Sequence, residues 1–176
     1  MKVLVVVDMQ NDFIDGSLGT PEARAIVPNV KKKIEEYDAN GDMIIYTRDT
    51  HFDGYLDSKE GQKLPVEHCV LETPGWQIHK DLLEPIFYTN RYVIDKYTFA
   101  SSGLPAMIRC FKNIDEIELV GLCTDICVVS NALLLKAYFY DTHEISVDAT
   151  CCAGVTPESH EAALKTMEMC QINVKR

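Results

Sequence analysis

The chain has 176 residues, 47% of them hydrophobic, and 27 acidic against 17 basic residues give it a formal net charge of −10. This length supports one well-cored domain, so we expect a single domain over residues 1–176. The negative charge opposes binding to nucleic acid and to anionic membranes, and one short basic run at 31–33 does not offset it. We therefore expect no nucleic-acid partner and no membrane partner.

The N-terminal segment MKVLVVVD differs from a secretory leader, because its apolar run is short, ends in an acidic residue and lacks a small-residue cleavage site. No other segment approaches the roughly 18 apolar residues that a membrane-spanning helix needs. Seven cysteines, an odd number without framework-like spacing, indicate reduced thiols. We expect a cytoplasmic protein.

Apolar runs of strand length alternate with amphipathic stretches of helix length, a pattern typical of a parallel sheet. The first run is continuous and β-branched, as in a strand that is buried on both faces. Right-handed crossovers would place helices on both faces of the sheet. We therefore predict an α/β fold with three α/β/α layers and a six-stranded, mainly parallel, Rossmann-like sheet. The predicted strands are residues 2–7, 43–46, 92–94, 117–121, 144–147 and 172–174.

Four helices are predicted between these strands. Pro28 opens the first, whose apolar positions recur at three-to-four spacing, and Gly41 ends it. The others span residues 102–111, 125–140 and 157–169, the last with Thr156 as its N-cap. Residues 47–77 fit no element, and a polar, turn-rich segment of about thirty residues in a compact domain indicates a functional loop.

Polar and thiol side chains follow several of the predicted strands. In open α/β sheets the ligand binds beyond the carboxyl ends of the strands. Singly, each of these residues has an ordinary structural explanation, such as an aspartate that caps a turn or a cysteine that fills the core. Together they predict an active site at one edge of the sheet. The residues are Asp8, Arg48 to His51, Asp95, Lys96, Cys123 to Cys127 and Asp148.

Cys127 lies near the start of the helix predicted from Asp125, where free backbone N–H groups and the helix dipole favour a thiolate. Asp8 could accept the thiol proton and later deliver it to a leaving amine, while Lys96 keeps Asp8 ionised or stabilises the thiolate. The backbone N–H groups of Cys123 and Cys127 could form an oxyanion hole. This set predicts acyl transfer from an amide.

Four segments resemble the isochorismatase-like cysteine hydrolases, and within that family they are most similar to nicotinamidases (pyrazinamidases). They are VVVDMQNDF at 5–13, DKYTFASSGL at 95–104, GLCTDICV at 121–128 and DATCCAGVTPESHEAAL at 148–164. The resemblance covers nearly the whole chain in the family's order. It implies a catalytic triad of Asp8, Lys96 and Cys127, a thioester acyl-enzyme and a cis peptide between Leu122 and Cys123. Asp125 is then a helix-start residue rather than a base.

The long loop contains Asp49 and His51, followed by His68. One carboxylate and two imidazoles suit zinc or another first-row metal, such as manganese or iron. The alternative is that Asp49 caps a turn and both histidines are ordinary loop residues. Nicotinamidases have a D-x-H…H site that holds the pyridine nitrogen of the substrate, so the resemblance favours the metal site. It also makes Glu60 a further candidate ligand.

The resemblance implies hydrolysis of a small-molecule amide, nicotinamide, to nicotinate and ammonia in NAD salvage, by an enzyme that forms homo-oligomers. The chain departs from many nicotinamidases, with DTHF in place of D-W-H-P and Leu64 or Pro65 in place of an aromatic residue. Phe13 is retained for ring binding. We expect Trp76 or Tyr97 to replace the missing aromatic wall.

Three alternatives stay open. A metal-independent cysteine amidohydrolase of N-carbamoyl or ureido substrates would keep the carbonyl chemistry without a pyridine anchor. A flavodoxin-like thiol redox protein or FMN binder would use the cysteines at 123, 127, 151 and 152, although redox motifs usually have CxxC spacing and this motif is CxxxC. A non-catalytic homologue is at odds with an intact Asp, Lys and Cys set.

Overall fold

The computed structural model of the chain describes residues 1–83 and 90–176. Its strands are β1 (Lys2–Val7), β2 (Met43–Asp49), β3 (Arg91–Lys96), β4 (Glu116–Leu122), β5 (Glu144–Ala153) and β6 (Asn173–Lys175). They form one parallel sheet in the order β3-β2-β1-β4-β5-β6. The predicted six-stranded parallel sheet is confirmed, and β5 continues beyond its predicted end at residue 147.

The α-helices of the described residues are α1 (Asn11–Ile14), α2 (Pro21–Ala39), α3 (Leu104–Arg109), α4 (Val129–Phe139) and α5 (Pro157–Met169). The prediction for α5 is confirmed, because the Thr156 hydroxyl accepts a hydrogen bond from the Ser159 N–H in a capping box. None of these helices combines the length and the apolar character that crossing a membrane requires.

The predicted start of α2 at Pro28 is wrong. The helix begins at Pro21, where the Thr20 hydroxyl accepts a hydrogen bond of 3.0 Å from the Ala23 N–H. Pro28 lies inside the helix and cannot donate the backbone hydrogen bond of a normal helical residue. Ile26 and Val27, on the turn before Pro28, are buried, so packing on the sheet offsets this local cost.

The two faces of the sheet pack on different helices. Val5 and Val7 of β1 belong to a core cluster that includes residues of α3, α4 and α5. Leu4 and Val6, which point to the opposite face, pack in a second cluster with α2. This arrangement gives the three predicted layers, with the sheet buried between two helical layers.

The strand order reverses between β1 and β4, which are neighbours in the centre of the sheet. A crevice forms at the carboxyl ends of two strands where the order reverses in this way. β1 and β4 approach closely at Gly121, whose φ is +115°. A Cβ atom at this position would lie 2.1 Å from the Val7 carbonyl oxygen, so the position requires glycine. Asp8 follows β1 and Cys123 follows β4, so both residues lie at this crevice.

Candidate active site

Asp8, Lys96 and Cys127 meet at the edge of the sheet where the parallel strands have their carboxyl ends. Lys96 Nζ lies 2.7 Å from Asp8 Oδ2 and 3.5 Å from Cys127 Sγ. Their exposed fractions are 0%, 2% and 5%, so all three side chains are shielded from solvent. The ammonium group therefore contacts a carboxylate and a thiol in a region of low dielectric, where both interactions are stronger than in water.

Thr47 fixes the orientation of the Asp8 carboxylate. Its hydroxyl donates a hydrogen bond of 2.6 Å to Asp8 Oδ1 and accepts one of 3.2 Å from the Asp8 backbone N–H. Asp8 itself has a positive φ of 47°, an uncommon value for a residue with a side chain. The sequence analysis did not identify Thr47, because a threonine inside a strand is ordinary and its partner lies 39 residues away.

Burial raises the pKa of the Cys127 thiol well above its ordinary value; the Asp8 charge raises it further and Lys96 opposes both. Burial also raises the pKa of Asp8 against the attraction of Lys96. The expectation that a helix start favours the Cys127 thiolate therefore differs from the structure. Cys127 lies in a π-helical turn, Thr124–Val128, ahead of α4 and close to carboxylates. Burial and the Asp8 charge therefore favour the thiol form of Cys127, and Lys96 opposes them.

The turn that holds Cys127 begins at a cis peptide between Leu122 and Cys123, as expected. Asp125 accepts hydrogen bonds of 3.1 and 3.2 Å from the Val155 N–H, which ties the turn to the segment after β5. The Thr124 hydroxyl lies 2.8 Å from His160 Nδ1 on α5. The position of Asp125 is that of a structural residue at the edge of the site.

Asn131 of α4 connects the Cys127 turn to the segment after β3. Its amide nitrogen donates to the carbonyl oxygens of Cys127, at 2.8 Å, and Phe99, at 3.2 Å. Its amide oxygen accepts a hydrogen bond of 2.9 Å from the Ser101 N–H. Asn131 is fully buried, so all three hydrogen bonds are shielded from water. Sequence analysis missed it because an asparagine on a helix gives no local signal of such contacts.

The predicted metal-ligating residues form one cluster. One ligand atom from each of Asp49, His51, Glu60 and His68 lies within 4.8 Å of all the others. His51 Nε2 is 2.9 Å from Asp49 Oδ2 and 3.7 Å from Glu60 Oε1. His68 Nε2 is 3.7 Å from the same Asp49 oxygen. Glu60, predicted as a further candidate ligand, belongs to the cluster.

The state of these groups suits a divalent cation. His68 Nδ1–H donates to the Val66 carbonyl at 2.8 Å, so in the neutral imidazole the Nε2 lone pair faces the cluster. Burial alone would raise the pKa of Asp49, but hydrogen bonds with His51 and His68 and the charge of Lys96 lower it below its ordinary range. Two imidazoles and two carboxylates are ligands that zinc and related metals accept. The residues present therefore fit such a metal.

Gln10 holds the backbone of Asp49 in place. Its side-chain oxygen accepts a hydrogen bond of 2.7 Å from the Asp49 N–H, and its side-chain nitrogen donates to the Asp49 carbonyl at 2.8 Å. The same nitrogen donates to the Trp76 carbonyl at 2.9 Å. The segment predicted as a loop at 47–77, whose first three residues belong to β2, is thus tied to the residues that follow β1 and contributes the metal-ligand candidates. Sequence analysis did not identify Gln10.

A cavity of about 600 Å³ opens above Cys127 and reaches the metal-ligand cluster. Phe13 and Tyr97 line it, as predicted, and the Phe13 ring lies 5.5 Å from the His68 ring. Leu64, at which the chain departs from the nicotinamidase pattern, lines it as well. Sequence analysis missed most of the other wall residues, which include Leu18, Phe99, Ile126 and Val155.

The prediction that Trp76 contacts the substrate is wrong. Trp76 does not line the cavity and is only 7% exposed. Its indole N–H donates a hydrogen bond of 2.9 Å to the Thr50 hydroxyl, and the Arg48 guanidinium lies 3.6 Å from its ring centroid. Arg48 also binds Asp95 through two hydrogen bonds. Trp76 is a packing residue of the loop.

Several known proteins are similar to this chain over almost its whole length. Among curated proteins, the nicotinamidase/pyrazinamidase of Mycobacterium tuberculosis is 28% identical over 194 residues, which cover 99% of this chain and 98% of the relative. A pyrazinamidase of Pyrococcus horikoshii, solved in complex with zinc, superposes with a TM-score of 0.85 at 28% identity, covering 99% of this chain and 98% of the other.

An N-carbamoylsarcosine amidase from Thermoplasma acidophilum is also similar, with a TM-score of 0.81 and 30% identity over 100% of this chain and 96% of the other. The isochorismatase domain family matches residues 2–175. A match over this length leaves one residue outside it at each end of the sequence. The chain therefore belongs to the isochorismatase domain family.

Proposed function

We propose that this protein is an amidohydrolase that converts nicotinamide to nicotinate and ammonia through a thioester on Cys127. One observation carries the proposal: Lys96 Nζ lies 2.7 Å from Asp8 Oδ2, 3.5 Å from Cys127 Sγ and 3.0 Å from Asp49 Oδ1. A single ammonium group thus connects the candidate triad to the metal-ligand cluster. An amide that carries a ring nitrogen is suited to a site that pairs a nucleophile with metal ligands.

Asp49, His51, His68 and Glu60 would hold the metal, which we expect to be zinc, with manganese and iron as the alternatives. When bound, the metal supplies a Lewis acid that can accept the lone pair of the pyridine nitrogen. Phe13, which contacts His68, then packs against the ring, and Tyr97 closes the cavity nearer to solvent. This arrangement directs the carboxamide toward Cys127.

In the first half of the reaction, Cys127 Sγ attacks the carbonyl carbon and its proton passes to Asp8. Asp8 then delivers the proton to the amide nitrogen as the C–N bond breaks, so that ammonia leaves and a thioester remains. Lys96 keeps the negative charge on Asp8 close to the thiol. The backbone N–H groups of Cys123 and Cys127 would stabilise the oxyanion.

In the second half, water attacks the thioester carbonyl carbon and gives up a proton to Asp8. The C–S bond breaks, the proton on Asp8 returns to the Cys127 sulfur, and nicotinic acid leaves and gives its remaining proton to water, which yields nicotinate. Burial raises the pKa of the Cys127 thiol, so the transfer of its proton to Asp8 assists the attack in each cycle.

The decisive experiment measures ammonia release from nicotinamide by the purified protein, before and after exhaustive chelation, with Cys127→Ala as the blank. The proposal requires release that depends on Cys127 and on metal and that returns when metal is added back. Absence of release by a folded protein whose Cys127 still reacts with an alkylating agent would retain the cysteine hydrolase and reject nicotinamide.

A second candidate is an amidohydrolase of N-carbamoyl substrates. The similarity to the N-carbamoylsarcosine amidase, at 30% identity over 100% of this chain, favours it. The same nucleophile and proton transfers would then cleave a ureido C–N bond without a ring nitrogen to anchor. Release of ammonia from an N-carbamoyl amino acid that survives chelation would select this candidate over nicotinamide.

A further inference from the structure

The cavity is larger than nicotinamide requires. Its volume of about 600 Å³ lies in the range of pockets that hold drug-sized ligands, whereas nicotinamide is a single ring with a carboxamide. The wall continues from Phe13 to Tyr97 and Phe99, which are 62% and 47% exposed and so mark the mouth. Space for a ring substituent therefore remains between the ring site and solvent.

Two lysines, Lys59 and Lys63, line this same cavity. Within residues 1–83 and 90–176, neither ammonium has a carboxylate oxygen within 4.0 Å. Lys33, Lys96 and Lys175, by contrast, each form ion pairs. Both ammonium groups are therefore available to an anion, although the lining of the cavity also includes the carboxylates of Asp49 and Glu60.

Asp49 and Glu60, the two carboxylates of the cavity lining, both belong to the metal-ligand cluster. Glu60 lies between the lysines, and its carboxylate is 3.7 Å from His51 Nε2 in the metal-ligand cluster. A bound divalent cation would engage that carboxylate and add positive charge of its own. Lys59 and Lys63 flank Glu60 in the sequence and line the same cavity, so an anionic group that extends from the ring site past the metal-ligand cluster would approach them.

We propose, on the basis of the proposed function, that the cavity accepts pyridine carboxamides bearing an anionic ring substituent, a carboxylate or a phosphate, which Lys59 and Lys63 bind. Flexible ammonium groups bind such anions as point charges and attract them during association. The chemistry at the carboxamide is unchanged: the C–N bond is hydrolysed and ammonia leaves.

The test compares kcat/KM for two nicotinamides substituted at the same ring carbon, one with a carboxylate and one with an acetyl group, its neutral isostere. The wild-type protein should prefer the carboxylate. In a variant that carries both Lys59→Met and Lys63→Met, the ratio of the two kcat/KM values should fall about tenfold. This is the change expected when two exposed charge interactions are lost together. Added salt should reduce the wild-type preference because it screens exposed charges.

Lys112→Met is the matched control, since Lys112 is an exposed lysine in the loop that precedes β4, at the opposite end of the strands. The Lys112→Met variant should prefer the carboxylate compound over the acetyl compound by the same ratio of kcat/KM values as the wild type. A wild-type preference for the acetyl compound, or an undiminished carboxylate preference in the double variant, would overturn the proposal. A third compound, with a phosphonomethyl group at the same ring carbon, distinguishes a carboxylate from a phosphate. The substituent that gives the higher kcat/KM identifies the anion that the site favours.

A binding measurement separates this proposal from the proposed function. Calorimetric titration of Cys127→Ala, with and without the two lysine substitutions, gives Kd values for the carboxylate and acetyl compounds without turnover. If no ring amide is hydrolysed, the proposed function fails, and the ratio of the two Kd values still decides the lysine proposal. Equal Kd values for both compounds would refute it.

Discussion

Thr47 and Asp8 are joined by two hydrogen bonds, in which the threonine hydroxyl donates to Asp8 Oδ1 at 2.6 Å and accepts from the Asp8 N–H at 3.2 Å. Thr47→Val keeps the shape of the side chain and removes both. We expect kcat for ammonia release to fall roughly tenfold or more, because hydrogen bonds to charged groups contribute about 1.5–3 kcal/mol. Thr47→Ser, which retains the hydroxyl, should recover most of the rate; equal loss in both variants would contradict this role.

The two cysteines of the nucleophile turn should behave differently. Cys127→Ala should lower ammonia release by at least about 10⁴-fold, because it removes the attacking atom. Cys123→Ala should stay within a few-fold of wild type, since only the backbone of Cys123 enters the proposed chemistry. Circular dichroism should show that both variants are folded. A comparable loss in Cys123→Ala would indicate chemistry that uses two thiols.

Removing one imidazole should empty the metal site. His51→Ala takes away the side chain that lies 2.9 Å from Asp49 and 3.7 Å from Glu60. Elemental analysis of the purified variant should find far less than one metal ion per chain. His143→Ala, at a partly exposed position outside the cluster, is the control and should retain the metal. Full metal content in His51→Ala would mean that other residues bind the ion.

Trp76 should affect stability and leave substrate binding unchanged. Trp76→Phe loses the hydrogen bond to Thr50, which should lower the free energy of unfolding by about 1 kcal/mol. Trp76→Ala also loses the ring under Arg48 and should lower it by about 3–5 kcal/mol. Urea denaturation measures both. The KM for nicotinamide should match wild type at temperatures where the variants are folded; a raised KM in Trp76→Phe would place the indole at the substrate.

Glu116 should make stability depend on pH in the acidic range. Burial alone would raise its pKa, but hydrogen bonds from Lys175, Lys2 and Ser146 lower it from 4.5 to about 2. The folded protein therefore holds Glu116 ionised more strongly than the unfolded chain does. The contribution of the ionised Glu116 to the free energy of unfolding is fully present above pH 4.5. It is lost as the pH falls from 4.5 toward 2.

Glu116→Gln tests this dependence by denaturation at several pH values. The difference in unfolding free energy between wild type and variant should be largest near neutral pH and shrink below pH 4.5. Glu22→Gln, an exposed carboxylate on α2, is the control and should show a small difference throughout. If the difference in unfolding free energy between wild type and Glu116→Gln stays constant with pH, the pKa of Glu116 is not lowered in the folded protein.

Much of the site follows from the sequence because parallel strands end at a common edge. Asp8 and Lys96 lie at the ends of two strands and Cys127 just beyond a third, so the strand pattern alone brings them together. The metal-ligand candidates share this property, since Asp49 ends β2 and His51 comes two residues later. Position after a strand is a local feature, and it is visible in a single sequence.

The residues that sequence analysis missed depend on contacts across the fold. Thr47, Gln10 and Asn131 are buried polar side chains whose partners lie 30 or more residues away for at least one hydrogen bond each. Trp76 illustrates the same limit, because an aromatic residue in a polar loop can either pack inward or face a ligand. Its ring packs against Arg48, a contact that the sequence does not reveal. By contrast, the Thr20–Pro21 start of α2 repeats the Thr156–Pro157 start of α5, so that signal was available.

The hydrogen bonds of Asn131 link the nucleophile turn to one wall of the cavity through which substrates enter. One side-chain amide binds the Cys127 carbonyl, the Phe99 carbonyl and the Ser101 N–H, so the backbone of the nucleophile turn is tied to this wall of the cavity. A displacement of Phe99 that breaks these hydrogen bonds would also remove a support from the turn that carries the attacking sulfur. A substrate that enters without moving Phe99 leaves that support in place.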